Sequence, residues 1–285
     1  MGLEAFLLKC AMALYAASLL GYLLSAVTMS RRAGTAASAA AALGLATHLA
    51  MIGVRGWHAG RVPLVNLYEY LLAFSWMVMA AYLVFERRCA ERAAQMRMVG
   101  GLSALLTLGL IGCATSLPSS SRQIETLMPV LKSNWLALHV FTAVVGYGAA
   151  ALASVLALLY FVSRGAAHRA PWLSARLPNP EDLDAAVSRA VRFAFPFLTL
   201  VNVTGAIWAY DAWGRYWGWD PKETWSLITW FVYVFYLHAR SSAGWRGPRT
   251  NAVALVGFAA VMFTLLAVNK LGVFAHSLHS YASGG

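Results

Sequence analysis

Apolar residues along this chain fall in long unbroken runs instead of alternating with polar ones. Eight such runs, at about 3–29, 36–54, 64–85, 99–117, 135–163, 191–210, 223–240 and 250–272, each come near the roughly 20 residues that a helix needs to cross a bilayer. The polar segments between them are mostly short, with neither a repeat nor a low-complexity linker. The expected fold is therefore all-α: a polytopic integral membrane helical bundle of about eight transmembrane helices, with residues 1–285 as one membrane domain. The first run follows the initiator directly, lacks a basic leader and a small-residue cleavage site, and is too long for a signal peptide, so it is expected to stay in the mature chain. Asn179-Pro180-Glu181-Asp182 combines an N-cap, a proline at the first helical position and two first-turn acids, and predicts a short surface helix leading into the sixth run. Segment 117–134, with Pro118, a serine cluster and Pro129, reads as a loop ending at Ser133, the expected N-cap of the fifth span.

Composition agrees with the pattern. Hydrophobic residues make up 60% of the chain and charged residues 12%, against roughly 25% charged in a soluble domain. Such a surface suits lipid, and a soluble scaffold, a disordered chain and a fibrous repeat are all excluded. Cys10, Cys89 and Cys113 are isolated and odd in number, so no disulfide framework is expected. The 22 basic residues outnumber the 11 acidic ones, giving a net charge of +11, and their distribution explains the excess. With alternating spans, one side receives fourteen: Arg31, Arg32, Arg87, Arg88, Arg92, Arg97, Arg164, Arg169, Arg176, Arg189, Arg192, Arg240, Arg246 and Arg249. The other receives eight: Lys9, Arg55, Arg61, Arg122, Lys132, Arg215, Lys222 and Lys270. The richer side is expected to be cytoplasmic, which places both termini and the 208–222 loop outside. The partner implied by the charge is membrane lipid, not nucleic acid.

The loop between the sixth and seventh runs is unusual. Six of the eleven tryptophans fall between Trp208 and Trp230, interleaved with Asp211, Arg215, Asp220, Lys222 and Glu223. An interfacial aromatic belt is one explanation, but a belt spreads its tryptophans over many helix ends. If 213–220 were helical, Trp213, Trp217 and Asp220 would share a face, with Gly214 and Gly218 on a second stripe, and the result would be a flat aromatic shelf for a large planar apolar ligand. Trp219 adds a further ring. Asp220-Pro221-Lys222-Glu223 also reads as a capping box opening the seventh span. A planar ligand with a central metal needs axial donors, and histidines lie near this surface: His139 two turns into the fifth span, and His276 and His279 beyond the eighth. His238 lies at the inner end of the seventh span. A histidine near a helix end is also an ordinary cap or interfacial residue, so position alone assigns none of them.

The combination resembles the cytochrome c assembly proteins of the CcsA/ResC type, within the haem-handling family that includes the CcmC and CcmF types. The match to that family's tryptophan-rich WWD signature runs from Trp213 to Trp225, and three further stretches agree with the CcsA branch: Pro63 to Glu69, Trp135 to Val140, and Leu278 to Tyr281. The likeness covers the chain from about Pro63 to its end.

What the resemblance implies is the haem-binding component of a cytochrome c haem lyase or System II synthase complex in the bacterial inner membrane. It would carry haem b, as a bound substrate, outward and present it through segment 208–225 to the CxxCH thiols of apocytochrome c. The outer axial ligands fall on His139 and His279, with His276 an ambiguous neighbour of the second. The inner ligand falls on His238, with its counterpart expected from a ResB/CcsB-type membrane protein. Trp213, Trp217, Trp219 and Asp220 would form the haem-presenting segment. No Ser-His-Asp, HExxH or phosphate-loop pattern is present, and without a CxxCH of its own the chain is not a c-type cytochrome.

Ionisable and polar groups also occur within the spans themselves. His48 and Arg55 share a face of the second span, while Asn66 and Glu69 open the third. A Glu69–Arg55 ion pair joining two helices and a role in placing a propionate are equally open on sequence. The alternative functional class is a bis-histidine b-type electron carrier or quinone oxidoreductase, which would want histidine pairs on facing helices at one depth. A solute transporter would want paired broken helices, which the pattern lacks.

The charge partition carries a topological prediction. A reporter fused after Ser120 or Gly285 should read as periplasmic, and one after Arg92 or Arg246 as cytoplasmic. A cytoplasmic signal at Gly285 would remove one span, with 36–54 the first suspect because alanine makes it weakly hydrophobic.

Overall fold

The computed structural model describes residues 2–89, 93–124, 131–170, 174 and 176–267. Among these, all regular structure is helical: α1 (Gly2–Thr28), α2 (Arg31–Ala59), α3 (Leu67–Arg88), α4 (Ala93–Thr115), the single turn α5 (Ser119–Arg122), α6 (Asn134–Arg169), α7 (Pro180–Trp213), α8 (Pro221–Ser241) and α9 (Pro248–Met262), followed by a π-helical turn at Phe263–Ala267. Among the described residues, seven helices are long and apolar enough to cross a membrane: α1 to α4, α6, α7 and α9 with its continuation. This is the architecture of a multi-pass membrane protein.

The eighth expected span, 223–240, is a helix of spanning length but misses that apolarity for a specific reason. One face of α8 carries Glu223, Ser226, Thr229, Tyr233, Tyr236 and Arg240 at three- and four-residue spacing. That polar stripe turns inward. Tyr233 and Tyr236 are fully buried, Ser226 donates to Asn202 Oδ1 of α7 at 3.0 Å, and Thr229 Oγ1 lies 3.5 Å from Thr264 Oγ1. Its outward residues, Ile228, Phe231 and Phe235, are exposed and apolar, the inverse of a soluble helix.

The helices form two groups of four. In the first, α1 pairs extensively with α2 and α4, and α3 with α4; in the second, α6 pairs with α7 and α9, and α8 with α7 and α9. Helix α6 joins the groups by packing on α3 and α4. It is suited to this place, because small residues at Ala149, Ala150, Ala151, Ala153 and Ala157 let neighbours approach from several sides. One continuous hydrophobic core runs through both groups.

The local signals at helix starts hold. Ser133 caps α6 by accepting from the Trp135 amide at 3.2 Å, and Asn179 caps α7 by accepting from Glu181 at 3.0 Å with Pro180 following. The separate surface helix expected before the sixth span is not formed. Helix α7 runs unbroken through Pro196, because Leu183, Ala186, Val187, Val191, Ala194 and Leu198 continue one buried stripe from its first turn into the span.

Ionic groups sit at the helix ends. Where α1 begins and α2 ends, Arg55 contacts Glu69 at 2.9 Å and Glu4 at 2.8 Å, and donates to the Arg122 carbonyl at 3.0 Å. Glu69 also accepts from Arg61 at 2.8 Å and from the Val65 amide at 2.9 Å, and Arg55 lies over the Tyr68 ring. The Glu69–Arg55 pair thus does join α2 to α3, and through Glu4 and Arg122 it also gathers α1 and α5. At the opposite end Asp184 of α7 holds Arg240 of α8 at 2.8 Å and the Asn251 amide of α9 at 2.8 Å. His48 is fully buried against Tyr15 of α1.

The Glu69 side chain has no solvent exposure and that of Arg55 only 4%, so removing one partner strands a charge. Arg55→Leu should lower the melting temperature of the purified protein, corresponding to a loss of about 3 kcal/mol. The double replacement with Glu69→Leu should recover part of it. A melting temperature unchanged by the single replacement would show that Arg61 alone satisfies Glu69.

Candidate functional site

The tryptophan-rich segment lies where α6 begins, α7 ends and α8 begins. Helix α7 stops at Trp213 because Gly214 takes the left-handed conformation (φ 73°) that an L side chain adopts at a cost, and its amide closes on the Tyr210 carbonyl at 2.8 Å. Residues 214–220 are consequently not helical, and the flat shelf expected from Trp213, Trp217 and Asp220 on one helix face is not what forms. The rings divide into two sets. Trp213 packs edge-on against buried Trp208, centroids 4.9 Å apart, inside the cluster of Leu136, Val140 and Val144. Trp217 and Trp219 pair at 5.8 Å with nearly perpendicular planes. Trp219, with φ 57° and 71% exposure, stands out from the surface. Tyr210 and Tyr216 stack at 4.5 Å, both exposed.

Asp220 is the cap that the sequence indicates. It is buried, accepts from the Lys222 amide at 2.9 Å, and forms the full capping box with Glu223. Glu223 Oε2 accepts from the Asp220 amide at 3.1 Å and also from the Gly218 amide at 2.8 Å, so a single carboxylate ties the loop to the first turn of α8. The Arg215 guanidinium lies over Gly218, in the space a Cβ there would take. Just ahead of the apolar run of α8, burial pulls the Lys222 ammonium down to about 8, while Asp220 opposes the shift.

His139 projects from the second turn of α6 onto α7. Its Nδ1 lies 3.0 Å from the Val201 carbonyl oxygen, and its ring is parallel to that of Trp208 within 12°, centroids 6.4 Å apart. A carbonyl only accepts, so the proton sits on Nδ1 and the lone pair on Nε2, the tautomer suited to a metal bond. Ser133 at the α6 cap donates to Asp211 Oδ2 at 2.8 Å. The described residues therefore bring His139, Trp208 and Trp213 together at one end of the bundle, with Trp217, Trp219 and Asp220 on the loop that follows.

His238 is elsewhere. It is exposed in the last turn of α8, at the end opposite the loop, where its carbonyl accepts from the Ser242 amide at 2.8 Å. His276 and His279 lie outside the described residues. No group of three or more His, Cys, Asp or Glu side chains suited to a metal ion occurs among the described residues. Sequence reasoning passed over Val201, Gly205 and Trp208 as neighbours of His139. Their three- and four-residue spacing puts them on one face of α7, but only the helix pairing shows which residue that face meets.

A protein-family model described as "Cytochrome C assembly protein" matches residues 64–276. The cytochrome c biogenesis protein CcsA of Synechococcus elongatus is 38% identical over 292 residues, covering 87% of this chain and 86% of its own length. That of Synechocystis is 33% identical over 98% of this chain and 97% of its own. The protein of the same name from Chlamydomonas reinhardtii is 39% identical over 80% of this chain and 63% of its own. Among solved structures, "Cytochrome c Heme Lyase CcmF" superposes with a TM-score of 0.72 over 95% of this chain at 18% identity, a likeness of fold. The chain spans about half that protein's length, 47%.

The loop geometry gives a graded expectation. Asp220→Ala should loosen the start of α8 by about 1 kcal/mol, while Asp220→Asn, which can still cap, should be milder. Gly214→Ala should raise cleavage of the 214–220 loop in limited proteolysis because of its positive φ. Equal protease resistance in all three variants would mean that the rings, not the caps, hold the loop.

Proposed function

The chain belongs to the family of cytochrome c assembly proteins and acts in cytochrome c maturation, and from that premise we propose that it binds haem b as a substrate and presents it for covalent attachment to apocytochrome c. The observation that carries this reading is His139: an imidazole with its lone pair on Nε2, braced by a backbone carbonyl and a parallel indole, at the bundle end that bears the tryptophan-rich loop. Half-buried among aromatic faces, it sits in surroundings that suit a planar apolar ligand.

In this reading His139 supplies one axial bond to iron and His279, or its neighbour His276, the other. Trp217 and Trp219, with the exposed Tyr210–Tyr216 stack, offer apolar faces for the porphyrin. The edge-on ring pairs suit a ligand held along several edges more than one lying on a flat shelf. Haem brings its own reactive vinyl groups: each thiol of a CxxCH segment forms a C–S bond to one vinyl carbon while the thiol proton ends on the other. The chain's residues then orient the porphyrin, exclude water from its face, and release iron to a ligand of the product. His238, exposed at the inner end of α8, fits a second haem position completed by a ResB/CcsB-type protein of the inner membrane, so that haem would move from the inner end to the outer loop.

The test is haem content and holocytochrome yield. His139→Ala and His279→Ala should each lower covalent cytochrome c formation by an order of magnitude or more, and added imidazole should restore part of it by filling the emptied position. Trp217→Ala should lower haem per protein at matched membrane levels. Wild-type yield from both histidine variants would remove the assignment, and failure of His276→Ala alone would move the second ligand from His279 to His276.

A further inference from the structure

We propose that Gly205 and the Val201 carbonyl are positioning groups that set the plane and the protonation of the His139 imidazole, and thereby the strength of its bond to haem iron. The proposal rests on the reading of His139 as a haem ligand and deepens it.

Helices α6 and α7 run antiparallel in one register, visible in three contacts. Ser133 meets Asp211, His139 meets Gly205, and Gly146 meets Leu198. A step of six residues along α6 from the first pair matches six along α7, and a step of seven to the third matches seven. In that register Val201, Gly205 and Trp208 of α7 form a cradle for one imidazole. A Cβ built on Gly205 would stand 2.9 Å from His139 Cε1 and 3.0 Å from Nδ1, at the limit of approach for a real methyl group. The ring therefore occupies the space that any side chain at 205 would need. Thr142 closes the arrangement from α6, donating to the His139 carbonyl at 2.8 Å and lying 3.4 Å from Thr204 Oγ1.

The chemistry follows from what each wall can do. The carbonyl accepts from Nδ1–H and so directs the lone pair to Nε2 and enriches it, as outer partners of metal-bound histidines do. Being neutral, it strengthens the donor less than a carboxylate would. That suits a ligand that must give up iron to the product. Trp208 limits ring rotation, and the missing side chain at 205 lets the ring come close enough for the Val201 bond. A purely structural explanation, that Gly205 only allows close helix packing, has its own control in the same seam. A Cβ on Gly146 would stand 3.2 Å from Phe197 Cβ and 3.3 Å from the Leu198 backbone, touching no histidine.

The experiment compares Gly205→Ala, Gly146→Ala and wild type as full-length protein in detergent. Gly205→Ala should weaken haem binding at the outer site about 10- to 100-fold and shift the absorption bands of the bound haem. Gly146→Ala should stay within about twofold, with the wild-type spectrum. Independently of haem and of any variant, nitrogen NMR of the haem-free wild type should report His139 protonated on Nδ1. The proposal is overturned by an Nε2-protonated His139 in that spectrum, by a Gly205→Ala protein whose affinity and bands equal wild type, or by the same change in Gly146→Ala. If His139→Ala itself keeps full haem binding with an unchanged spectrum, the ligand assignment falls and takes this inference with it. If His139→Ala loses haem while Gly205→Ala does not, only the inference falls.

Discussion

The end of this molecule that bears the tryptophan-rich loop depends on the register between α6 and α7. The missing side chain at Gly205 on α7 leaves room for the His139 ring of α6, and the Ser133–Asp211 hydrogen bond pins the pair at its last turn. In lipid, close packing and interhelical hydrogen bonds must supply the association that hydrophobic burial supplies in water. A shift of one residue would rotate His139 away from Val201 and Trp208. It would also move the start of the 214–220 loop, because that loop begins where α7 ends.

Polar groups are placed under the same constraint. A bilayer offers no water to an unpaired charge or hydroxyl, and the chain answers by gathering such groups at helix ends or turning them inward. Arg55, Glu69, Glu4 and Arg61 form one network where α1 starts and α2 ends, and Asp184 and Arg240 form another at the opposite end. Helix α8 follows the rule least simply, carrying a polar stripe through its whole length toward α7 and the turn after α9. It is also the helix that connects the tryptophan-rich loop to His238. The residues that reduce its apolarity therefore lie on the element that links the two proposed haem positions.

The loop itself is held by caps. Gly214 ends α7, Asp220 and Glu223 begin α8, and Glu223 reaches back to Gly218. Tied at Gly214, Gly218 and Asp220 by these few bonds, the loop exposes Trp219 and leaves Trp217 half-buried. In the proposed role, receiving and then releasing a large planar substrate, the loop benefits from that separation between what builds it and what contacts the ligand.

Much of this was legible in the residues alone. Unbroken apolar runs dictate membrane helices because a helix satisfies its backbone within one segment, whereas the strands of a closed barrel would alternate apolar and polar positions, and the capping signatures at Ser133, Asn179 and Asp220 act over three or four residues, within reach of local sequence. The Glu69–Arg55 pair was open as one of two roles because intramembrane charges seek each other. What the sequence could not decide was anything that depends on one helix meeting another. The continuity of α7 through Pro196 follows from a buried stripe shared with its neighbours, which outweighs the local signal of proline. The division of the tryptophans into a buried set around Trp208 and an exposed pair follows from where α7 stops and which helix it faces. The partners of His139 are set by the antiparallel register, a relation between residues more than sixty positions apart that no local pattern encodes.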